Sequence, residues 1–242
     1  MISLGILTYQ RPAYLEKVCR SVAKHLQVDR VYIHDDGSDP KFAGSYKRAF
    51  KRLPDAVLQL DPVNRGCARA KNALLHQMLE DGADWLFLME DDILITSPGA
   101  VSGYLTACET SGLGHLSYAH HGPANVGGAR EIRGPISFFP HYVGAYCVYS
   151  RECLEEVGLF DEGFTNAWEH VQHTLRLAKA GYTDPRPWFA ADATGSENWL
   201  TEIPGSIEDS VIRPRYDWQS NIDSGLQYWR ENDPETYGMI FA

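Results

Sequence analysis

Short apolar runs bounded by polar turns recur along this chain, and the first, Ile2 to Leu7, predicts a strand. It ends in Thr8-Tyr9-Gln10-Arg11-Pro12, where Pro12 suits the first turn of a helix, and Leu15, Val18, Cys19 and Val22 then return at helical spacing. A second short run, Arg30 to His34, gives way to Asp35-Asp36-Gly37-Ser38-Asp39, a turn by composition. Strand, loop, helix, strand opens a βαβ unit, and both strands end in polar residues at the edge where open α/β sheets build their ligand crevice. The pattern continues with a helix over 45–52, a strand over 57–60, and a helix opened by Asn64-Arg65-Gly66-Cys67-Ala68-Arg69-Ala70-Lys71-Asn72. The apolar face of that helix falls on Cys67, Ala70, Leu74, Leu75 and Met78, leaving Arg69, Lys71 and Asn72 off it.

The stretch Asp84 to Ile95 is the centre of the pattern. Trp85 to Met89 form a continuous apolar run, as in a strand buried on both faces of a parallel sheet, and Glu90, Asp91 and Asp92 interrupt it before Ile93-Leu94-Ile95. Beyond Ser97-Pro98-Gly99 a helix is predicted over 100–110, and then a weakly patterned region over 112–140 that reads as a functional loop or irregular strands. A strand over 142–150, a short helix over 151–157 and a turn over 158–164 follow. A clear helix over 167–180 carries Val171, Leu175 and Ala178 on one face, brings Glu169, His170 and His173 to one region, and ends at Gly181. After Tyr182 periodicity weakens. Pro185, Pro187, Pro204 and Pro214 punctuate a tail whose Trp188, Trp199, Trp218, Tyr228 and Trp229 read as packing that wraps the core.

The 242 residues suffice for one large α/β domain, with a mostly parallel central sheet flanked by helices, and no linker or repeat marks a second. Within it, 183–242 reads as a C-terminal wrap. Lys plus Arg is 22 against 32 for Asp plus Glu, a formal charge of −10 that weighs against a duplex nucleic-acid partner. Five cysteines at unrelated spacings predict reduced thiols, and the absence of a leader or membrane-length apolar run predicts a soluble, cytoplasmic protein. The tail aromatics would permit a homodimer.

Candidate chemistry begins with the acidic triplet. Adjacent carboxylates at a strand end repel one another, and a bound divalent metal is the simplest compensation, solvation at a strand-to-loop junction being the other. Cationic Arg69 and Lys71 at a helix start run against the dipole preference, which a diphosphate would explain as well as a solvated basic face. The adjacent His120 and His121 could bind metal, but a surface or hydrogen-bonded pair is the commoner use, and they receive no catalytic role.

In this order, GILTYQRPAYL, IHDDGSD, NRGCARAKNAL, LMEDD and VGLFDEGFTNAWEHVQHTLRLAKAGY resemble the motifs of family 2 glycosyltransferases over about residues 1–182. The resemblance implies the GT-A fold, a nucleotide-sugar donor, usually a UDP-sugar, and a divalent metal, Mn or Mg. It also implies a nucleotide-binding half over 1–95 and an acceptor and catalytic half over 96–182. Carried over by position, Thr8, Tyr9 and Arg11 fall in the donor loop and Asp36 looks like the carboxylate that meets the uracil ring. Lys71 stands where the family often has Arg, and with Arg69 would face the diphosphate. Asp91 and Asp92 resemble the metal-and-ribose carboxylates, Asp92 being the direct ligand. Where the family commonly has Glu-Asp and uses the Asp as base, this chain has Glu169-His170. Either could take the acceptor proton, with Glu169 preferred, and His173 would then join the metal shell.

The function so implied is metal-dependent transfer of a sugar to an acceptor hydroxyl on a glycan, protein or small molecule, with inversion. One rival is a nucleotidyltransferase, which would want a Gly-rich phosphate loop where Thr8 to Pro12 contain no glycine. The other is a non-catalytic nucleotide- or sugar-binding module.

Overall fold

The computed structural model describes every residue except Pro185, Pro187, Trp188, Tyr216 and Ala242, so three of the tail positions singled out above lie outside the described residues. The first half is built as its apolar runs predict: β1 (Ile2–Thr8), α1 (Pro12–His25), β2 (Arg30–Asp35), α2 (Ala43–Phe50), β3 (Val57–Leu60), α3 (Cys67–Glu80) and β4 (Trp85–Glu90). Pro12 stands in the first turn of α1, whose Leu15, Val18, Cys19 and Val22 are all buried. The remainder comprises β5 (Ile93–Ile95), α4 (Gly99–Ser111), β6 (His115–Ser117), β7 (Glu131–Arg133), β8 (Ile136–Phe139), β9 (Tyr146–Ser150), α5 (Arg151–Val157) and α6 (Glu169–Lys179). Last come β10 (Ala190–Ala193), β11 (Leu200–Glu202), α7 (Ile212–Arg215), α8 (Trp218–Asn232) and α9 (Pro234–Phe241).

The central sheet runs β3-β2-β1-β4-β9-β6. Its first four strands are parallel, and β9 lies antiparallel to both β4 and β6. Register does the functional work, since Thr8 pairs with Asp35 across β1–β2 and Leu7 with Glu90 across β1–β4. The polar residues that end three parallel strands therefore meet at one edge of the sheet, as the rule for open α/β sheets requires.

Three differences from the sequence expectation stand out. The region 112–140 holds three short strands, two of which, β7 and β8, join β10 in a separate sheet of order β10-β8-β7. The strand expected from Tyr142 begins only at Tyr146. The weakly periodic tail contains three α-helices among the described residues, of which α8 and α9 close over the start of α6. There Trp229 is fully buried, its indole Nε1 donates to Thr236 Oγ1 at 2.8 Å, and its ring lies near Phe164, Trp168 and Tyr237.

Candidate active site

β4 delivers Glu90, and the two aspartates form the turn between β4 and β5. Asp91 is 1% exposed and accepts hydrogen bonds from Thr8 Oγ1 at 2.6 Å and from Arg11 Nη2. Burial lifts its pKa to about 7, against the opposing pull of Arg11 and Thr8. Asp92 accepts from Arg11 Nη2 through Oδ2 at 3.2 Å, while its Oδ1 is buried without a hydrogen-bond partner among the described residues. Burial disfavours its charge, but His121 and Arg11 outweigh that and hold it below the usual carboxylate range. β11 pairs with β5 so that Glu202 stands opposite Ile93, and Ile203 N donates to the Asp92 carbonyl at 2.7 Å. The tail thereby frames the acidic turn.

These residues line a cleft of about 530 Å³ whose wall also carries Tyr9, Asp36, His121, Glu169, His170 and Arg213. Glu169 is the first residue of α6 and is 4% exposed. Lys71 Nζ, itself buried, lies 3.3 Å from Glu169 Oε1 and 3.0 Å from Glu90 Oε1, and His170 Nδ1 lies 3.5 Å from the same Glu169 oxygen. Burial opposes the charge on Glu169, yet Lys71 and His170 hold its pKa far below the carboxylate range, so the group is ionised at neutral pH. Its Oε2 has no hydrogen-bond partner among the described residues.

Strain marks the entry to that helix. Trp168, the residue before Glu169, has φ 73°, a left-handed conformation that costs a non-glycine residue roughly 1–2 kcal/mol. Its indole Nε1 donates to the Ile222 carbonyl of α8 at 3.1 Å, and α8 approaches so closely that a Cβ at Gly225 would stand 2.9 Å from the Trp168 ring. Opposite, the start of α3 abuts the same turn: Cys67 N donates to the Thr165 carbonyl at 3.2 Å, and at Gly66, with φ 97°, a Cβ would meet that oxygen at 2.7 Å. Only glycine fits there.

Thr8, Tyr9, Arg11, Asp36, Asp91, Asp92, Glu169 and His170 are thus brought to one cleft, and three predicted residues are not. Arg69 is half exposed and pairs with Glu162 at 3.3 Å. Lys71, expected to face a diphosphate from the polar side of its helix, is buried between Glu90 and Glu169, because the acidic strand and α6 both pack over that side of α3. His173 is fully buried away from the cleft, with Nε2 2.9 Å from the Gly158 carbonyl and its ring centroid 4.4 Å from that of Phe160. An i, i+4 relation to Glu169 puts it one turn further along, on the side of α6 that meets the core, so it is not placed to join a metal shell at Asp92. Asp36 borders the cleft but is engaged by Asn64 Nδ2 at 2.8 Å, Arg65 N at 2.8 Å and Gly66 N at 3.1 Å, holding the turn that starts α3. His34, Asp36 and Asp61 also lie close enough together to share an ion, although those three donors occupy the Asp36 oxygens.

Sequence reasoning missed His121, Glu202 and Arg213. His121 is expected to belong to a surface or hydrogen-bonded pair, yet its side chain is 20% exposed and its Nε2 lies 3.6 Å from Asp92 Oδ1 and 3.5 Å from Glu202 Oε1. Both separations are too long for good hydrogen bonds. No local pattern pairs residues 92, 121 and 202; the β5–β11 ladder sets Glu202 beside the acidic turn, and the Gly122 N bond to Glu202 Oε2 holds residue 121 against it. The free, buried Asp92 oxygen facing an imidazole is a donor set that fits a divalent cation, so the metal expected from the acidic triplet has a place to bind.

Comparison with known proteins agrees with this architecture. The family described as Glycosyl transferase family 2 matches residues 3–106. A Bacillus subtilis (strain 168) protein named uncharacterized glycosyltransferase YwdF is 26% identical over 191 residues, which cover 74% of this chain and 68% of that protein. Among solved structures, the mannosyltransferase PcManGT from Pyrobaculum calidifontis, in complex with GDP-Man and Mn2+, superposes with a TM-score of 0.56 at 17% identity over 75% of this chain. S. aureus TarS superposes with a TM-score of 0.61 at 14% identity over 98% of this chain. TarS 1–349 in complex with UDP-GlcNAc gives a TM-score of 0.59 at 12% identity. The chain spans 52% of the length of the mannosyltransferase and 41% of that of TarS. The family match over residues 3–106, the named relative and the shared architecture of sheet and flanking helices make this chain similar to family 2 glycosyltransferases, with a fold of the GT-A type.

Proposed function

We propose that the protein transfers a sugar from a UDP-sugar to an acceptor hydroxyl in a single displacement that inverts the anomeric carbon, with a divalent ion, Mn2+ or Mg2+, held at Asp92. The observation that carries this reading is one cleft lined both by the acidic turn, with an unengaged Asp92 oxygen, and by an ionised Glu169 carboxylate with an unengaged Oε2. The acceptor is a glycan, a protein side chain or a small molecule.

Glycosyl transfer of this kind needs charge stabilisation on the leaving diphosphate, a base for the acceptor and exclusion of water. The bound ion supplies positive charge beside the leaving diphosphate oxygens. Arg213, which with Arg11 accounts for the Lys and Arg side chains lining the cleft among the described residues, adds to it. Arg11 has a separate task, neutralising Asp91 and one Asp92 oxygen and so holding the acidic turn together. Glu169 Oε2 accepts the acceptor proton, and Lys71 keeps the carboxylate ionised and fixed through the other oxygen. Trp168, Ile207, Trp218 and Ile222 make the cleft wall apolar where water must be kept away.

A second reading of the base has its own observation, since His170 Nδ1 stands 3.5 Å from Glu169 Oε1 and a carboxylate in that position can orient an imidazole that takes the proton instead. The test of the whole proposal is calorimetric titration of UDP with and without Mn2+, on the native protein and on Asp92→Ala, followed by a screen of UDP-sugars. Metal-dependent binding lost in the variant, with UDP released on turnover and the product anomer inverted by NMR, is the expected result. UDP binding without turnover would make the protein a binding module, and release of pyrophosphate would make it a nucleotidyltransferase.

A further inference from the structure

The acidic turn is only half of a cation site. Asp92 is only 5% exposed, its Oδ1 is unengaged, and His121 Nε2 stands 3.6 Å from that oxygen, itself buried without a hydrogen-bond partner among the described residues. Two donors that each stand about 2.1 Å from a shared ion are roughly 3–3.6 Å apart, depending on the angle between them. The separation here is therefore too long for a hydrogen bond and suited to an ion between the two atoms.

We infer that His121 is the second protein ligand of the divalent cation, joining Asp92 Oδ1 through its Nε2, with Glu202 adding a carboxylate beside the ion. The inference rests on the glycosyltransferase reading for its metal but assigns a ligand that reading does not contain. The loop holding His121 is built to present it. Ala119 N donates to Asp192 Oδ2 at 2.9 Å, Asn125 Nδ2 ties the carbonyls of Ala119 and His141 at 2.9 and 3.0 Å, and Gly122 N donates to Glu202 Oε2 at 2.8 Å. Glu202 Oε1 also stands 3.5 Å from His121 Nε2, so the ring nitrogen lies against two carboxylates from separate elements, a field that favours a cation there. Asp91 does not contribute an oxygen, because Thr8 and Arg11 engage it from inside the fold. Two protein ligands leave the other coordination positions to water and to diphosphate oxygens.

An imidazole ligand carries a chemical consequence. Mg2+ is matched to oxygen donors, whereas later first-row ions tolerate nitrogen, so this site favours Mn2+ over Mg2+. The ligand is read directly from bound Mn2+ by pulsed electron paramagnetic resonance, which detects a coordinated 14N nucleus, on the native protein alone and with UDP. Nitrogen modulation in the native protein and its loss in His121→Ala, with Mn2+ affinity falling at least tenfold, is the expected result. His121→Asp should restore Mn2+ binding without the nitrogen signal and narrow the preference over Mg2+. Bound Mn2+ with no nitrogen signal, or the same signal in His121→Ala, would overturn the assignment while leaving the Asp92 reading intact provided Asp92→Ala still loses the ion. No Mn2+ binding by the native protein, with or without UDP, would overturn both. Since the native spectrum is informative by itself, misfolding of a variant does not mask the answer.

Discussion

At the scale of single residues, charge placement separates the two carboxylate groups of the cleft. Glu169 is buried yet ionised, because Lys71 and His170 outweigh desolvation, and it keeps one oxygen for a proton. Glu169→Gln should therefore reduce kcat, measured on folded protein, by about 10²–10⁴, the ordinary worth of a general base, and should also lower the melting temperature because buried Lys71 loses one of its two carboxylate partners. His170→Asn should cost less than about tenfold, and the reverse order in the same transfer assay would hand the proton to the imidazole. Arg11 does the opposite kind of work, holding buried carboxylates together. Arg11→Met leaves Asp91 and Asp92 without their cation and should destabilise the fold by roughly 3 kcal/mol. The loss has a pH dependence. Asp91 already has its pKa raised by burial to about 7, and without Arg11 it rises further, so the folded chain retains a proton that the unfolded chain releases above the ordinary carboxylate range. Stability of the variant should fall as pH rises, and denaturant melts at pH 6 and pH 8 will show the larger deficit at pH 8.

At the scale of elements, the strands and helices of the first half were legible because each buries an apolar run of its own. β1 and β4 are covered on both faces and read as continuous apolar stretches, while α1 and α3 show helical spacing. The strands β6, β7 and β8 are three or four residues long and carry Gly and Pro between them, too short for a periodic signal. The C-terminal helices were hidden for another reason. Among the described residues of α8 only Trp229 is buried, with Leu226 and Tyr228 packed half-buried beside it, so this helix docks through a narrow stripe centred on one large side chain. That makes Trp229 the fastening of the tail. Trp229→Ala should cost about 3–5 kcal/mol, and by loosening α8 from the strained Trp168 it should also lower transfer activity beyond the loss of folded protein. Thermal melts with activity measured well below the transition will check both parts.

At the scale of the whole molecule, opposing buried groups set the response to pH. His115 is 1% exposed, and burial lowers its pKa from 6.5 to about 4 despite its bond to the Val148 carbonyl. The unfolded chain thus binds a proton that the folded chain refuses, so this contribution to stability is present above pH 6.5 and is lost as pH falls toward 4. His173 acts in the same direction. Asp192 acts against them, since burial raises its pKa to about 7 even with Tyr104, Ala119 and Ser196 donating to it, and its contribution is lost as pH rises from 3.8 toward 7. His115→Phe should accordingly gain about 2 kcal/mol relative to the native protein between pH 7 and pH 4.5, measured by denaturant melts at both.

The sequence alone determined the alternation of strands and helices, the carboxylates at the strand ends, and the Glu169-His170 pair at a helix start, because hydrophobic period and turn chemistry are local properties. It also placed polar residues at the ends of strands that meet at one edge of the sheet. Which of these side chains meet was decided only by the tertiary structure. Lys71 turned inward because two acidic elements pack over it, His173 faced the core because α6 is rotated that way, and His121 reached Asp92 because its loop is tied to Glu202 of β11, which pairs with β5. Contacts between residues 92, 121 and 202 depend on sheet register and loop closure over long stretches of chain, and no period along the sequence encodes them.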